Sequence, residues 1–277
     1  MKYDLIALDL DGTALNPKNL VEPSTAEAVR DAQARGMRVV VSTGRICGEA
    51  AEFARAMGAD DYMVTSGGAA LSMISEERCF MRLSMPWEAS VRAAAALERI
   101  GLSTMVYVAE NLLITPYDEL AFARYKSNEG YLSIKKVVPS VAEWIANGHV
   151  MADKIFSRSL DRANITTVRQ VLSGIEGIRV MSSADDNVEV VSPAANKATA
   201  LSMLCQLYGT DLAHTAAVGD SENDLEMLHA AALPIAMGNA NAEVKALCRH
   251  VTDDNAHDGV AKAIEWVLRQ ESKPLVN

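Results

Sequence analysis

The sequence predicts an α/β protein: a Rossmann-like, doubly wound parallel sheet with an α+β module inserted into it. Three observations carry this reading. Short apolar runs such as Leu5-Ile6-Ala7-Leu8 and Val39-Val40-Val41 have the composition of strands buried on both faces. They alternate with helical segments over short links, the pattern of parallel strands joined by right-handed crossovers. The rhythm stops near Ser84-Met85-Pro86 and resumes from Ser192-Pro193, as expected of an insertion.

The elements follow in order. The first strand runs into Asp9-Leu10-Asp11-Gly12-Thr13. Ser24-Thr25-Ala26-Glu27 has the spacing of a capping box opening a helix, which ends near Arg35-Gly36 with a basic last turn and a glycine stop. A second strand over 37–41 delivers Ser42-Thr43-Gly44-Arg45, and the next helix closes around Met57-Gly58. A third strand over 62–65, expected parallel to the first two, delivers Ser66-Gly67-Gly68, and 70–83 alternates as a hairpin. Inside the insert, 86–100 is an alanine-rich helix, and 104–108 with 111–115 are paired strands around Ala109-Glu110. Residues 117–149 carry no clear period, and strand, helix, strand and strand follow at 152–157, 161–172, 178–182 and 187–191. Beyond the insert come a helix over 197–208 and a strand over 215–218 that delivers Gly219-Asp220. A short helix over 223–229, a strand over 233–236, a last strand at 250–252 and a closing helix over 259–269 complete the chain. The expected division is a core of 1–83 with 190–277 and an inserted domain of 84–189.

With 277 residues, 49% hydrophobic and 22% charged, the chain has an ordinary globular composition and enough length for a sizeable core. A formal net charge of -10 argues against nonspecific nucleic-acid or anionic-membrane binding as its main task. The cysteines Cys47, Cys79, Cys205 and Cys248 are scattered with no CxxC pair, which points away from a zinc site or disulfide frame and toward a reducing compartment. No signal peptide and no membrane-spanning apolar stretch are read, so the expected location is the cytoplasm. His149, His214, His229, His250 and His257 lack metal-ligand spacing and are expected to be structural, and the thirteen methionines to be core filler. Tyr107, Tyr117 and Tyr125 of the insert are expected to pack rather than to bind.

Chemistry concentrates in four loops: Asp9/Asp11, Thr43-Gly44-Arg45, Lys197, and Gly219-Asp220-Ser221-Glu222-Asn223-Asp224. Alternation along the strand points Asp9 and Asp11 the same way, at the carboxyl edge where open α/β sheets place their ligands. Hard oxygen donors favour Mg²⁺ over softer metals. A hydroxyl, an ammonium and loop amides favour phosphate. A phosphate dianion beside ionised Asp9 and Asp220 is repelled by on the order of 4 kcal/mol per close pair at an effective dielectric near 20. A divalent cation together with Lys197 removes three negative charges from that sum, so the acidic loops imply the metal.

The ordered set Asp-Leu-Asp-Gly-Thr, Ser-Thr-Gly-Arg, Lys197 and Gly-Asp-Ser-Glu-Asn-Asp resembles the haloacid dehalogenase-like superfamily of phosphatases. Asn196-Lys197, Ala236-Met237-Gly238-Asn239-Ala240 and Val251-Thr252-Asp253-Asp254 resemble its Cof-like subgroup, and the large insert is similar to a type C2 (IIB) cap. The resemblance implies roles. Asp9 is then the nucleophile that forms an aspartyl-phosphate, and Asp11 the general acid and later base. Mg²⁺ sits on the Asp9 and Asp220 carboxylates and the Asp11 carbonyl, with Asp224 supporting the metal or Lys197. Thr43 and the amides of Gly44 and Leu10 hold phosphate oxygens, Lys197 neutralises nucleophile and phosphoryl group, and Asn223 donates to the phosphate. Arg45 is placed at the substrate or against a cap acid. The chain departs from the family at Gly67, where asparagine is common, at Ala198, where glycine is common, and at Ala14, where leucine is common. The implied activity is Mg²⁺-dependent hydrolysis of a small phosphorylated metabolite, sugar phosphates foremost, with no nucleic-acid or membrane partner. Mutase-like phosphoryl transfer and a non-catalytic phosphometabolite-binding protein are the alternatives.

Overall fold

The computed structural model describes residues 3–122, 129–159, 161–182 and 186–271. The chain begins β1 (Leu5–Leu8), α1 (Pro23–Ala34), β2 (Arg38–Val41), α2 (Cys47–Met57), β3 (Tyr62–Thr65), then a hairpin β4 (Ala70–Met73) and β5 (Arg78–Arg82). Next come α3 (Trp87–Ile100), β6 (Ser103–Val108), β7 (Asn111–Ile114), α4 (Asp118–Ala121), α5 (Glu129–Ile134), β8 (Lys135–Val137) and α6 (Val141–Gly148). They lead to β9 (Lys154–Arg158), α7 (Arg162–Leu172), β10 (Arg179–Met181) and β11 (Asn187–Val191). The chain closes with α8 (Lys197–Leu207), β12 (Thr215–Gly219), α9 (Leu225–Ala230), β13 (Leu233–Ala236), α10 (Ala242–Leu247), β14 (His250–Val251) and α11 (Gly259–Glu271).

The expected parallel sheet is present, in the order β14-β13-β12-β1-β2. β1 lies between β12 and β2 and is buried along its whole length, which is why its sequence is apolar at every position. A second sheet, β10-β11-β9-β6-β7-β8, is antiparallel except for the β7–β8 pair. The two sheets have separate apolar cores. One is built from residues before Cys79 and after Lys197, such as Leu8, Val40, Leu201 and Ile264. The other runs from Met85 to Val190 and includes Leu97, Val106, Ile155 and Val168. Alternation splits the second sheet cleanly. Val106, Val108 and Ile155 join its own helix-covered core, whereas Met105, Tyr107, Leu112 and Ile114 face Ile46 at the start of α2.

Three expectations change. Ser24 is not a helix cap: α1 starts at Pro23 with Glu22 before it and no side-chain cap, and Ser24 Oγ instead donates to Asp258 at 2.6 Å. Proline, with no N–H to satisfy and φ already helical, starts the helix two residues earlier than a Ser24 cap would. β3 follows β2 in parallel only through the Ser42–Val64 bridge, and its ladder is antiparallel with β4 in a three-stranded sheet of its own. The tight turn through Gly67 and Gly68, both at positive φ, returns the chain at once and makes β4 the neighbour. Finally, the weakly patterned stretch 117–149 holds α4, α5, β8 and α6, pieces of three to eight residues that are too short to show a period.

Candidate active site

The four loops converge. The first leaves β1, the second leaves β2, and the acidic loop leaves β12, all at carboxyl ends of adjacent strands. Lys197 is the first residue of α8, whose entry is capped by Asn196 accepting from the Thr199 amide at 2.7 Å. The Lys197 ammonium donates to Asp9 Oδ1 at 2.6 Å and to Asp224 Oδ1 at 2.6 Å, and all three side chains are buried. Gly68 brings α8 this close: a Cβ there would lie 2.1 Å from the Asn196 carbonyl carbon and 2.6 Å from the Lys197 nitrogen. At Gly67 a Cβ would meet nothing within 4 Å, so the missing family asparagine leaves open space.

Asp224 is fully committed to protein donors. Its Oδ2 accepts from the amides of Asp220 at 3.0 Å and Ser221 at 3.1 Å, while Oδ1 takes Lys197. It thus caps its own short turn and orients the lysine at once. Asp220 accepts from Thr13 Oγ1 at 2.8 Å, and any Cβ at Gly12 would stand 2.5 Å from its carboxylate, so only glycine lets the first loop pass. Asn223 Oδ1 accepts from Ser221 Oγ at 2.9 Å and lies 3.5 Å from the Lys197 ammonium. Its amide nitrogen is 3.9 Å from where a Gly44 Cβ would sit. Thr43 is fully buried; its amide donates to Val64 at 2.9 Å and its hydroxyl accepts from the Arg45 amide at 3.2 Å. Leu10 is buried, and its carbonyl accepts from Thr13 and Leu15.

Asp11 and Arg45 form a pair of their own. The guanidinium donates from Nε to one Asp11 oxygen at 2.8 Å and from Nη2 to the other at 2.6 Å, a bidentate fork. Arg45 is thus forked onto the second aspartate of the first motif. The Asp11 side chain is 54% exposed, whereas Asp9 is buried. The two carboxylates stand on one edge in opposite environments.

Charge is unbalanced in the buried cluster. Oxygens of Asp9, Asp220 and Asp224 lie within 4.8 Å of one another, against one ammonium. Burial, then the Asp224 charge, raises Asp9 well above its usual range, with Lys197 opposing. Burial and Asp224 likewise push Asp220 up to about 6. Burial alone would lower Lys197, but the charges of Asp224 and Asp9 outweigh it and hold the ammonium above its ordinary value. Three crowded carboxylates with one counter-charge have a composition that could hold a cation.

Several participants escaped sequence reasoning. Thr13 enters the site through its hydroxyl, which donates to Asp220. Glu49 of α2 is buried, and burial with the opposing pulls of Arg45 and Asp11 leaves it at about 7. Lys154 and Glu189 belong to the second sheet, and the Lys154 ammonium reaches the Gly44 carbonyl; its signal was a lysine opening a strand just ahead of Ile155 and Phe156. His149 stacks on Trp87 and His250 on Trp266, while His214 and His257 pair with Asp211 and Asp254. Tyr107 is buried in the interface cluster, Tyr117 is 71% exposed, and Tyr125 lies outside the described residues.

Known proteins match this architecture along its length. The family model described as haloacid dehalogenase-like hydrolase matches residues 6–264. The chain is 30% identical over 275 residues to 5-amino-6-(5-phospho-D-ribitylamino)uracil phosphatase YcsE of Bacillus subtilis, covering 95% of this chain and 96% of that protein. It is 25% identical to pyridoxal phosphate phosphatase YbhA of Escherichia coli, over 95% of this chain and 98% of the relative. A solved haloacid dehalogenase-like hydrolase of B. subtilis superimposes with a TM-score of 0.83 at 28% identity, covering 95% of this chain and 99% of that one. With the motifs in order, the loops on one rim and the match running nearly end to end, the chain belongs to the haloacid dehalogenase-like hydrolase family, in its Cof-like branch, and is one of its phosphatases.

Proposed function

We propose that the chain hydrolyses small phosphomonoesters, sugar or polyol phosphates in particular, with Mg²⁺ and through an aspartyl-phosphate on Asp9. The observation that carries this is the buried cluster in which one ammonium serves Asp9 and Asp224 beside Asp220. The donor set fits Mg²⁺: hard carboxylate oxygens, too many for the single lysine, with Gly12 leaving no side chain in front of Asp220. Asp9, Asp220 and the Asp11 carbonyl would hold the ion, with Asp224 behind them; bound there, it supplies positive charge against phosphate oxygens.

The residues of the chain do the rest. Thr43 with the Gly44 and Leu10 amides, Lys197 and Asn223 bind and orient the phosphoryl oxygens. An Asp9 oxygen attacks phosphorus as the ester P–O bond breaks, and the leaving oxygen takes a proton from Asp11. A water then attacks the same phosphorus, giving its proton to Asp11, and the bond to Asp9 breaks to release inorganic phosphate. For this cycle Asp11 turns from the Arg45 fork toward the leaving oxygen. Residues 84–189 act as a cap that excludes bulk water and selects the leaving group. Among the described residues no helix is long and apolar enough to cross a membrane, and the free cysteines accord with a reducing, cytoplasmic setting.

The test is phosphate release by purified protein from a panel of phosphorylated metabolites, with Mg²⁺ and then with excess EDTA. Release that needs no acceptor alcohol and stops with chelator is expected. No release from any phosphomonoester, or full activity in chelator, overturns the reading; release only when an acceptor is present assigns phosphoryl transfer instead.

A further inference from the structure

The second sheet carries a charged residue where its neighbours are apolar. Lys154 opens β9 and is 3% exposed. By alternation it shares the face of Phe156, beside Tyr107 on β6, and looks toward α2. Tyr107 and Phe156 flank its ammonium at 5.5 and 6.0 Å from their ring centres. Glu189, from β11 on the far side of β9, accepts from it at 2.7 Å, and both side chains are nearly inaccessible.

The ammonium does not stay within its own sheet. It donates to the Gly44 carbonyl at 3.3 Å, crossing between two apolar cores. A Cβ at Gly44 would lie 3.5 Å from it and 3.9 Å from the Asn223 amide nitrogen, so both donors stand over one peptide of the phosphate loop. Its placement is fixed from below. The next residue back, Asp153, is buried and accepts from Arg82 Nε at 2.9 Å, from Ser84 Oγ at 2.5 Å and from the Ala109 amide at 2.8 Å. Arg82 and Ser84 are the strand end and link by which the chain passes from the first core to the second. Lys154 thus sits beside the junction between the two cores.

A buried ion pair is a poor device for stability, because apolar residues of equal volume usually do as well or better. What this pair offers instead is chemical. An ammonium has three protons. Among the described residues Glu189 and the Gly44 carbonyl take two of them. Glu189 balances the ammonium within the pair. A donor beside a carboxylate acceptor, closed in by two rings, matches a group that both accepts and donates: a hydroxyl.

We propose that Lys154, held by Glu189, determines specificity by recognising a hydroxyl of the leaving group close to the phosphoester, selecting polyol and sugar phosphates over alkyl or aryl phosphates. This deepens the phosphatase reading above and rests on it. The experiment compares kcat/KM for ribitol 5-phosphate with that for pentyl phosphate, which has the same carbon chain and no hydroxyl. The wild-type chain, with Mg²⁺, prefers ribitol 5-phosphate, and in Lys154→Met that preference falls at least tenfold. Leaving Glu189 buried alone invites misfolding, so Lys154→Met/Glu189→Leu, which removes both charges, is measured alongside and loses the preference to the same degree. A preference unchanged within twofold in the double variant, or absent from the wild type, overturns the proposal while leaving the phosphatase intact. Failure of the wild type on both esters while it hydrolyses another phosphomonoester of the panel overturns the proposal as well; failure on every phosphomonoester overturns the underlying reading itself.

Discussion

Two buried lysines meet at this site from opposite sides, and their surroundings differ in one respect. Lys197 stands among three carboxylates, Asp9, Asp224 and Asp220, and leaves the cluster net negative. Lys154 is paired with one, Glu189. In the proposed reading the first environment serves the cation and the nucleophile, and the second reads the leaving group.

The sharpest way to break that comparison is to remove the surplus. Asp9→Asn is expected to lower kcat by roughly 10³-fold or more. Because Asp9 is buried among like charges that raise its pKa, the same variant should melt no lower than wild type without metal, and higher if repulsion dominates. Retained turnover, or a fall of several degrees in Tm, would place the nucleophile elsewhere. Lys197→Met comes next: roughly 10²-fold or more in kcat, with destabilisation of about 3–5 kcal/mol because the paired carboxylates lose their only ammonium. Denaturant melts and steady-state kinetics separate the two losses.

Smaller effects test how the surplus is held in place. Gly68→Ala should cost more than about 2 kcal/mol, since its methyl would overlap the backbone at Asn196 while φ is +92°. Gly67→Asn, one residue away in open space, should change stability by less than about 0.5 kcal/mol, asparagine tolerating the left-handed φ. Equal costs at both positions would refute the close approach of this turn to α8. The smallest effect is a pH trend. Asp220 lies at about 6 against an ordinary 3.8. Between those values the folded protein holds more protons than the unfolded chain, so metal-free stability falls as pH rises through the window and the cost is complete above it. Mg²⁺ relieves that cost, so thermal melts should show a larger Mg²⁺-induced rise in Tm at pH 7.5 than at pH 5, by roughly 3–6 °C. An equal rise at both pH values would detach the ion from these carboxylates.

The same contrast explains what could be read from the amino acids alone. Asp9 directly follows a short apolar run, and Thr43 and Asp220 stand one residue beyond theirs; a parallel sheet sends every such strand end to one rim, so adjacency in sequence becomes proximity in space. Lys154 has no such marker. It sits within a strand, its contact with Gly44 spans 110 positions, and only the alternation of β9 against β6 reveals which face it joins. The fork between Arg45 and Asp11 was hidden for a similar reason: it links the ends of two neighbouring strands, and nothing local to either residue names the other. Ser24 misled because its spacing to Glu27 imitates a cap, while Pro23 settles the helix start two residues earlier.

The carboxylate of Asp9 and the ammonium of Lys197 are 188 positions apart, with the whole second sheet between them. β1, the strand that carries Asp9, needs β12 along one of its edges. During synthesis that edge emerges early and stays unpaired until more than two hundred residues have followed it. Loop closure over such a span is slow, and an open apolar edge is a place for strands of other molecules to dock. The time between the first strand and its last neighbour is therefore the period in which this chain is most exposed to aggregation, and the nascent enzyme is inert throughout it.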